Sequence, residues 1–339
     1  MKLLVTGAAG FIGCDTALAL LARGDEVVGL DNLNPYYDPA LKAARLARLT
    51  PRPGFRFEMI DLADRAAMAA LFARERFDRV VHLGAQAGVR HSVDHPHTYL
   101  ESNLSGFLNV LEGCRAGHIE HLVYASTSSV YGANTHMPFA ETQGTAHPLS
   151  LYAATKKANE LMAHSHASIH GLPVTGLRFF TVYGPWGRPD MALFRFTRAI
   201  LAGQPIEVFN DGRHKRDFTY IDDIVRGVLA AVDRIAAPDP GWNADAPDPS
   251  TSRVPYRIYN IGNQRAVPLL RYIEVLEECL GRKAQKIFLP LQAGDVPETA
   301  ADITLIARDL GFRPSTPIEV GVRRFVDWYL QHYREPRSG

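Results

Sequence analysis

Short apolar runs alternate with helix-like patterns through the first half of the chain. Between the runs, apolar residues recur every three or four positions, which is the spacing of one face of a helix. The strand-like runs are residues 3–6, 26–30, 55–60, 79–83, 121–125 and 174–179. This repeated β-α alternation predicts an α/β fold with a doubly wound parallel sheet, helices on both faces, and a ligand site at the carboxyl ends of the strands.

The regular alternation ends near residue 181, and the pattern that follows is mixed. Helical periodicity is found at 192–201, 221–235, 269–280 and 318–332, and one strand-like run lies at 256–261. Residues 236–253 are rich in Pro, Asp, Ala and Ser, a composition typical of a surface loop. We therefore expect a second, smaller α/β region after the sheet.

The composition is that of an ordinary globular protein. The 339 residues carry a net charge of +1, are 46% hydrophobic and 22% charged, and have scattered basic residues. Scattered basic charge argues against a nucleic-acid partner. The apolar stretch at the start is too brief for a membrane span or a signal peptide. Three widely spaced cysteines favour a reducing cytoplasm over a disulfide framework or a metal site.

A glycine-rich loop separates the first predicted strand from the first helix. Gly7, Gly10 and Gly13 are spaced G-x-x-G-x-x-G, and Phe11 and Ile12 lie between the last two glycines. Glycine permits a tight turn and lets backbone amides approach a pyrophosphate, which the amino end of a helix also attracts. An isolated glycine motif is about as often a plain turn, but the position between strand and helix favours a dinucleotide site.

An acidic residue follows at the distance that a dinucleotide site requires. Asp31 ends the second predicted strand, where its carboxylate would accept hydrogen bonds from both ribose hydroxyls of NAD. Its neighbours include Asn32, and no arginine or lysine is present there for the extra phosphate of NADP, so NAD is the expected cofactor. Asp61 and Leu62 follow the third strand and would meet the adenine, although such a pair alone is more often a strand-end turn.

Tyr152 and Lys156 form a predicted proton-handling pair. They lie four residues apart on a predicted helix, so the ammonium can lie beside the phenol. A fixed positive charge lowers the pKa of a tyrosine from about 10 and favours the phenolate, which can act as a general base. Alone, this spacing more often marks an exposed pair on an amphipathic helix. The hydroxyl cluster at 126–129 and the glycine loop favour the catalytic interpretation.

These motifs together resemble the extended short-chain dehydrogenase/reductase family over nearly the whole chain. The segments 86–90, 178–191 and 216–220, which read QAGVR, RFFTVYGPWGRPDM and RDFTY, are more closely similar to UDP-glucuronate 4-epimerases. The resemblance implies catalytic roles for Thr127, Tyr152 and Lys156. The expected cofactor contacts are Gly7, Gly10, Phe11, Ile12, Gly13, Asp31, Asn32, Asp61, Leu62, Gln86, Asn103, Tyr152 and Lys156.

The resemblance also implies a reaction, the 4-epimerisation of UDP-glucuronate to UDP-galacturonate, within polysaccharide biosynthesis. Tyr152 would take the proton of the 4-hydroxyl, directly or through Thr127, while hydride passes from the same carbon to NAD. The resulting 4-keto sugar would turn about its bond to the diphosphate and recover hydride on its other face, without net oxidation. Lys156 would also hold the nicotinamide ribose.

Glucuronate adds a requirement, because its 4-keto form is a β-keto acid that loses carbon dioxide readily. Hydrogen bonds that keep the carboxylate bond out of alignment with the carbonyl π system would protect it. The candidates for these bonds are Thr127, Ser128, Ser129 and Thr181, and the candidate charge partners of the carboxylate or diphosphate are Arg90 and Arg188. A single serine at such a position is about as often part of an ordinary strand-end turn.

Three further residues are expected at the nucleotide by resemblance. Arg216 would bind the diphosphate, for which a guanidinium fork is suited. Phe209 would lie against uracil, and Asp295 would hold its ribose. The alternatives are a surface salt bridge between Arg216 and Asp217, and a place in the core for Phe209.

Several neighbouring activities stay open on the sequence. Related dehydratases carry an Asp-Glu pair after the catalytic threonine, and related decarboxylases keep a glutamate there, whereas this chain has Ser128 and Ser129. UDP-glucose 4-epimerase is a nearer alternative, but it usually has asparagine at the position of Thr181. A net oxidoreductase that releases NADH and a catalytically silent nucleotide-sugar sensing protein are the remaining alternatives. The intact Tyr152 and Lys156 argue against the silent protein.

The combined expectation is a Rossmann-type NAD-binding domain followed by a smaller α/β substrate-binding domain. The first would span residues 1–181, with 216–236 and 256–263 returning to it, and the second would span 182–339. Apolar residues on more than one face of the helices at 99–115 and 152–170 suggest a homodimer. No bound metal is expected.

Overall fold

The computed structural model describes residues 1–292 and 294–333, so the last six residues of the predicted second domain lie outside the described part. The strands are β1 (Lys2–Thr6), β2 (Glu26–Leu30), β3 (Phe55–Glu58), β4 (Arg79–His82), β5 (His121–Thr127), β6 (Val174–Phe179), β7 (Thr181–Tyr183), β8 (Ile206–Phe209), β9 (Lys215–Tyr220), β10 (Tyr256–Ile261), β11 (Ala266–Pro268) and β12 (Lys286–Leu289).

The helices alternate with these strands along most of the chain. They are α1 (Phe11–Ala22), α2 (Pro39–Leu49), α3 (Arg65–Arg74), α4 (His91–Asp94), α5 (Pro96–Tyr99), α6 (Gly106–Ala116), α7 (Leu151–His170), α8 (Ala192–Leu201), α9 (Ile221–Asp233), α10 (Leu269–Leu280), α11 (Thr304–Leu310) and α12 (Ile318–His332). Within the described ranges, no helix is both long enough and apolar enough to cross a membrane.

The predicted doubly wound parallel sheet is confirmed. Seven parallel strands lie in the order β3-β2-β1-β4-β5-β6-β10. The chain builds outward from β1 to β3, then returns to place β4 on the other side of β1. At such a switch point, the loops after neighbouring strands diverge and leave a crevice at the carboxyl edge of the sheet.

Two smaller sheets come from the second half of the chain. β9 is parallel to β7 and antiparallel to β11, and β8 pairs in parallel with β12. β10, which also comes from the second half, pairs with β6 and completes the large sheet. The structure therefore contains the expected smaller α/β region.

The strands are apolar on both faces because helices cover both faces. In β1, Leu3 and Val5 belong to the core shared with α1 and α9, whereas Leu4 faces the core shared with α3, α6 and α7. This alternation follows from the two-residue period of a strand, and a parallel sheet buried on both sides reads as a continuous apolar run. Each fully buried Leu or Val stabilises the fold by roughly 1.5–3 kcal/mol.

Two predicted boundaries were wrong. The strand predicted at 55–60 ends at Glu58, and the strand predicted at 121–125 continues to Thr127. The helix expected over 99–115 is not continuous either: a π-helical turn at Leu100–Ser105 joins α5 to α6. Periodicity does not separate these helix types, because a π turn shifts the hydrogen-bond partner by only one residue.

Candidate active site

A cavity of about 450 Å³ opens at the carboxyl edge of the large sheet. Most of the predicted site residues line it: Gly7, Gly10, Phe11, Ile12, Gly13, Asp31, Asn32, Asp61, Leu62, Gln86, Thr127, Ser128, Ser129, Tyr152, Lys156, Thr181, Arg188, Arg216 and Asp295. Three predicted residues, Asn103, Arg90 and Phe209, are not part of this lining. The fold thus brings the glycine loop, the tyrosine-lysine pair and the predicted substrate residues into one space.

The glycine loop follows β1 directly and leads into α1. A Cβ on Gly13 would lie 2.1 Å from the carbonyl oxygen of Gly7, and Gly7 itself has a φ of +72°. Side chains at either position would push the helix away from the strand. No side chain accepts a hydrogen bond at the start of α1, so no side-chain cap occupies the backbone amides of its first turn. This arrangement fits the pyrophosphate of NAD.

Asp31 follows β2, and its carboxylate is already partly engaged by the protein. The backbone amides of Ala9 and Leu33 donate to it at 3.3 and 2.8 Å. Lys42 of α2 lies 3.6 Å away and also lines the cavity. The expectation that no lysine lies near Asp31 was therefore wrong, because α2 packs over the loop and brings Lys42 close to the carboxylate. The carboxylate still fits an adenosine ribose.

Asp61 and Asn32 form a second polar group in the same region. Asn32 Nδ2 donates to Asp61 Oδ2 at 2.8 Å, and the amide of Ala63 donates to Asp61 Oδ1 at 2.8 Å. Asp61 therefore forms the strand-end turn that was weighed as its alternative role, and it also lines the cavity. The strand-end turn is thus observed, and the expected contact of Asp61 with adenine stays a prediction.

Asn103 lies behind the cavity wall. Its side-chain oxygen accepts from the amide of Gln86 at 2.8 Å, and its amide nitrogen donates to the carbonyl of Gln86 and to Thr155 Oγ1. With its polar atoms used in this way, Asn103 holds Gln86, which lines the cavity. The expected contact of Asn103 with the cofactor stays a prediction.

The helix that carries Tyr152 and Lys156 is fixed at both ends. Ser150 Oγ accepts from the amide of Ala153 at 3.1 Å at the start of α7, and Gly171 ends the helix with a φ of +67°. Tyr152 and Lys156 face the cavity from adjacent turns of this helix, and Lys156 is only 2% exposed. Their predicted position on one helix face at the ligand site is observed.

The electrostatics of the pair differ from the expectation. Burial raises the pKa of Tyr152, while a polar interaction with Thr127 and the charge of Arg188 act in the opposite direction. Burial also lowers the pKa of Lys156, to about 8, with the charge of Glu160 opposing that shift. The protein alone therefore holds Tyr152 as the neutral phenol.

Thr127 ends β5, and its hydroxyl is held by the turn that follows. Thr127 Oγ1 accepts from the amide of Ser129 at 3.2 Å and donates to Ser129 Oγ at 3.3 Å. This is a strand-end turn, as one interpretation of the serines expected. The turn also lines the cavity with Thr127, Ser128 and Ser129.

Arg188 enters the cavity next to Tyr152 and has a protein partner that sequence did not predict. Arg188 forms a two-point ion pair with Asp190, at 3.0 and 2.5 Å. Tyr36 donates to the same carboxylate at 3.3 Å and lines the cavity from the loop after β2. Asp190 does not bind the other terminal nitrogen of the guanidinium. Thr181, at the start of β7, lines the same region.

The predicted nucleotide residues meet near the mouth of the cavity. Arg216 donates to Asp295 at 2.7 Å and lines the cavity beside it. The alternative pairing with Asp217 is wrong, since Asp217 is buried and accepts from backbone amides instead. Phe209 is half-buried, with the guanidinium of Arg90 4.7 Å from its ring centre. Phe209 and Arg90 thus adjoin the site without lining the cavity.

Lys42, Tyr36 and Asp190 are the lining or supporting residues that sequence reasoning missed. Tyr36 belongs to a Tyr-Tyr pair in the polar loop after Asp31, and that aromatic pair in a loop was the available signal. Asp190 lies two residues after Arg188, within the segment 178–191 that resembles UDP-glucuronate 4-epimerases. No sequence pattern indicated Lys42, because the direction of its side chain depends on how α2 packs against the rest of the fold.

Comparison with known proteins places the chain in a family. The model of the NAD dependent epimerase/dehydratase family matches residues 3–262, and the chain belongs to this family, which uses NAD and falls within the extended short-chain dehydrogenase/reductases.

Three individual proteins show the degree of similarity. Protein CapI of Staphylococcus aureus is 50% identical, over 99% of this chain and 100% of its own length. UDP-glucuronate 4-epimerase 1 of Arabidopsis thaliana is 48% identical, over 98% of this chain and 77% of its own length. A crystal structure of UDP-glucuronic acid 4-epimerase from Bacillus cereus, in complex with UDP-glucuronic acid and NAD, is 33% identical. It covers 98% of this chain and 100% of its own, with a TM-score of 0.88.

Proposed function

We propose that this protein is an NAD-dependent UDP-glucuronate 4-epimerase that interconverts UDP-glucuronate and UDP-galacturonate. The observation that carries the proposal is that one cavity is lined by the glycine loop, by Tyr152 and Lys156, and by Arg188. A dinucleotide, proton-transfer groups and a cation suited to a sugar carboxylate would meet there. The relatives from Arabidopsis and Bacillus cereus that bear this activity in their names support the same assignment.

Tyr152 is the proposed general base. Its phenolate, formed once the cofactor is bound, would accept the proton of the sugar's 4-hydroxyl and become the phenol, directly or through Thr127. When bound, the cofactor supplies a reversible hydride acceptor and, in its oxidised form, a positive charge. That charge supports proton transfer, because burial otherwise keeps the pKa of Tyr152 raised. Lys156, buried at the same wall, would hold the cofactor ribose and add to the positive potential.

Arg188 and the hydroxyl turn would hold the sugar carboxylate. Arg188 has one guanidinium nitrogen that Asp190 does not bind, and Ser128 and Ser129 present hydroxyls on the same cavity. A carboxylate fixed by a charge-assisted bond and by hydroxyl donors cannot rotate freely into alignment with a 4-keto group. Its loss as carbon dioxide would therefore be slowed.

The turn after Thr127 also bears on competing reactions. Ser128 and Ser129 line the cavity, and neither side chain is an acid that could move a proton at the neighbouring sugar carbon. This supports epimerisation over dehydration or decarboxylation. Arg216 and Asp295 pair with each other and line the same cavity, where Arg216 would bind the diphosphate and Asp295 would accept from the uridine ribose.

The assignment can be tested by product analysis. Purified protein with UDP-glucuronate is expected to yield UDP-galacturonate, identified by NMR, without net consumption of added NAD. UDP-xylose as the product would indicate decarboxylation, and NADH formed in proportion to product would indicate a net oxidoreductase. Faster turnover of UDP-glucose than of UDP-glucuronate would favour the UDP-glucose 4-epimerase alternative.

Arg188→Met is expected to weaken UDP-glucuronate binding by roughly 10–100-fold, the worth of a hydrogen bond to a charged group. Binding of UDP-glucose, which has no carboxylate, should change much less. Calorimetric dissociation constants for both nucleotide sugars measure the difference, and Arg188→Lys, which keeps the charge and loses the planar fork, is the matched control. Equal losses for both sugars would exclude Arg188 as the carboxylate partner.

The assembly and domain organisation are also proposals. We propose an NAD-binding domain over 1–181, with 216–236 and 256–263 added to it, and a substrate-binding domain over 182–339. The free cysteines Cys14, Cys114 and Cys279 support a cytoplasmic location.

A homodimer is expected because exposed apolar side chains, including Leu108 on α6 and Leu161 and Ile169 on α7, mark a surface suited to a second copy. Light scattering should give twice the mass of one chain, and the mass of a single chain at micromolar concentration would contradict the dimer.

A further inference from the structure

Three side chains of the kind that bind metal ions meet on α6 and α7, away from the cavity. Glu112 lies near the end of α6, and His166 and His170 lie one turn apart near the end of α7. Their donor atoms all lie within 4.8 Å of one another, and His166 Nε2 is 3.1 Å from Glu112 Oε1. Two histidines four residues apart share one helix face, which is the spacing that lets both reach a single ion.

We propose that Glu112, His166 and His170 form a binding site for a divalent transition metal ion of the zinc class. Two imidazoles and one carboxylate suit Zn²⁺, which often takes three protein ligands and a water in tetrahedral geometry. This proposal departs from the expectation that the protein binds no metal, which rested on cysteine spacing and did not consider residues from two helices.

The distances suit this geometry. With zinc bonds of about 2.0–2.1 Å, tetrahedral ligand atoms lie about 3.3 Å apart. The contact between His166 and Glu112 is already at that separation. His170 needs to move its donor atom by at most about 1.5 Å, which rotation of an exposed side chain supplies.

The ring of His166 is held in a suitable orientation by the backbone. Its Nδ1 lies 3.1 Å from the carbonyl oxygen of Met162. A carbonyl can only accept, so Nδ1 donates and Nε2 is directed toward Glu112. A histidine ligand whose second nitrogen donates to a backbone carbonyl is the usual support around bound zinc.

Arg115 also contacts Glu112, mainly on the other oxygen of its carboxylate. Arg115 donates to Oε2 at 2.8 and 3.1 Å, and approaches Oε1 only at 3.3 Å. Oε1 therefore remains on the histidine side. Without metal, the same residues form an ordinary surface ion pair, and the experiment below separates the two cases.

The proposed site is remote from the sugar chemistry. His166 follows Tyr152 by fourteen residues on the same helix, which is roughly 21 Å along the helix axis. A metal there would join α6 to α7 and so fix the helix that carries Tyr152 and Lys156. Its expected effect is on stability and not on the proton transfer itself.

The test uses the full-length protein after removal of metal with a chelator. Titration with Co²⁺ is expected to give one saturable equivalent with the visible absorption of tetrahedral cobalt, and Zn²⁺ should displace it. Zinc at about 100 times its dissociation constant should raise the melting temperature by roughly 3–5 °C.

Variants decide whether these three residues hold the ion. His166→Ala, His170→Ala and Glu112→Gln should each weaken binding by at least ~10-fold, a loss that even outer partners of ligands produce. His136→Ala, which removes an exposed histidine on a loop outside the cluster, should bind as the parent protein does. His170→Ala should retain parental epimerase activity, which shows that it is folded. Absence of saturable Co²⁺ or Zn²⁺ binding, or binding unchanged in both histidine variants, would overturn the proposal.

Discussion

Tyr152→Phe is expected to lower the rate of epimerisation by ~100-fold or more while leaving the cofactor bound. The substitution removes only the phenolic oxygen, so the ring keeps its edge-to-face packing on Tyr99, whose centre lies 6.2 Å away. Lys156 and the glycine loop, which are proposed to hold the cofactor, stay unchanged. Turnover of UDP-glucuronate followed by NMR, and the NAD content of the purified variant, measure the two effects separately.

Tyr99→Phe is the matched control for this experiment. Tyr99 is a buried neighbour whose hydroxyl contacts the carbonyl oxygens of Ala87 and Gly88, and it does not line the cavity. Loss of that hydroxyl should reduce stability slightly and leave most of the turnover. If Tyr152→Phe instead kept turnover within tenfold of the parent protein, Thr127 would become the candidate base.

The parts of the site that could be predicted from sequence are those fixed by one element and its next few residues. Gly7 follows β1 and Asp31 follows β2 directly, and the carboxyl ends of parallel strands share one edge of the sheet. Tyr152 and Lys156 share a face because helix geometry fixes their spacing. For these residues, strand and helix periodicity is sufficient to give position.

The parts that could not be predicted depend on how separate segments pack. Lys42 approaches Asp31 because α2 lies over the loop after β2, and Asp190 joins Tyr36 to Arg188 across 154 residues of sequence. Neither contact follows from a local period. The hydrogen bonds of Asn103 to Gln86 and Thr155 could not be predicted for the same reason, since they join residues of separate elements.

The pKa of Tyr152 shows a further limit of sequence reasoning. Spacing correctly predicts that Tyr152 and Lys156 both lie at the cavity, but burial acts on both groups and is not visible in a sequence. Desolvation disfavours the phenolate and the ammonium alike, so the two pKa values move toward the neutral forms. The charge of bound cofactor is therefore a larger part of the proposed mechanism than the sequence suggested.

Arg178→Met is expected to lower the free energy of unfolding by about 3–5 kcal/mol, because it leaves a buried carboxylate without its main partner. Arg178 and Glu160 are at most 1% exposed and form a two-point ion pair at 2.8 and 2.9 Å. Ser126 also donates to Glu160 at 2.7 Å, so the pair holds α7 against β5 next to Thr127. Urea unfolding at neutral pH measures the loss.

Two further variants separate burial of a charge from a general loss of packing. The double change Glu160→Gln with Arg178→Met should recover part of the stability, because no unpaired charge remains buried. Arg213→Met removes an arginine paired with Asp211 at the surface, where both side chains are more than half exposed, and should change stability little. Equal losses from Arg178→Met and the double variant would mean that the ion pair itself is not what matters.

The loss caused by Arg178→Met should also depend on pH with a definite sign. In the parent protein, burial raises the pKa of Glu160, but the charge and hydrogen bonds of Arg178 outweigh burial and bring it to about 2. This depressed pKa contributes stability that is present above the unfolded value of about 4.3 and is lost as pH falls toward 2. In the variant, burial dominates, so the pKa of Glu160 rises and its carboxyl protonates on mild acidification, which removes the free-energy cost of a buried unpaired charge.

The difference in unfolding free energy between the parent protein and the variant should therefore be widest near pH 7 to 8 and should narrow as the pH falls to about 5. A constant gap across that range, measured by urea unfolding at each pH, would show that the carboxylate of Glu160 is not the source of the loss.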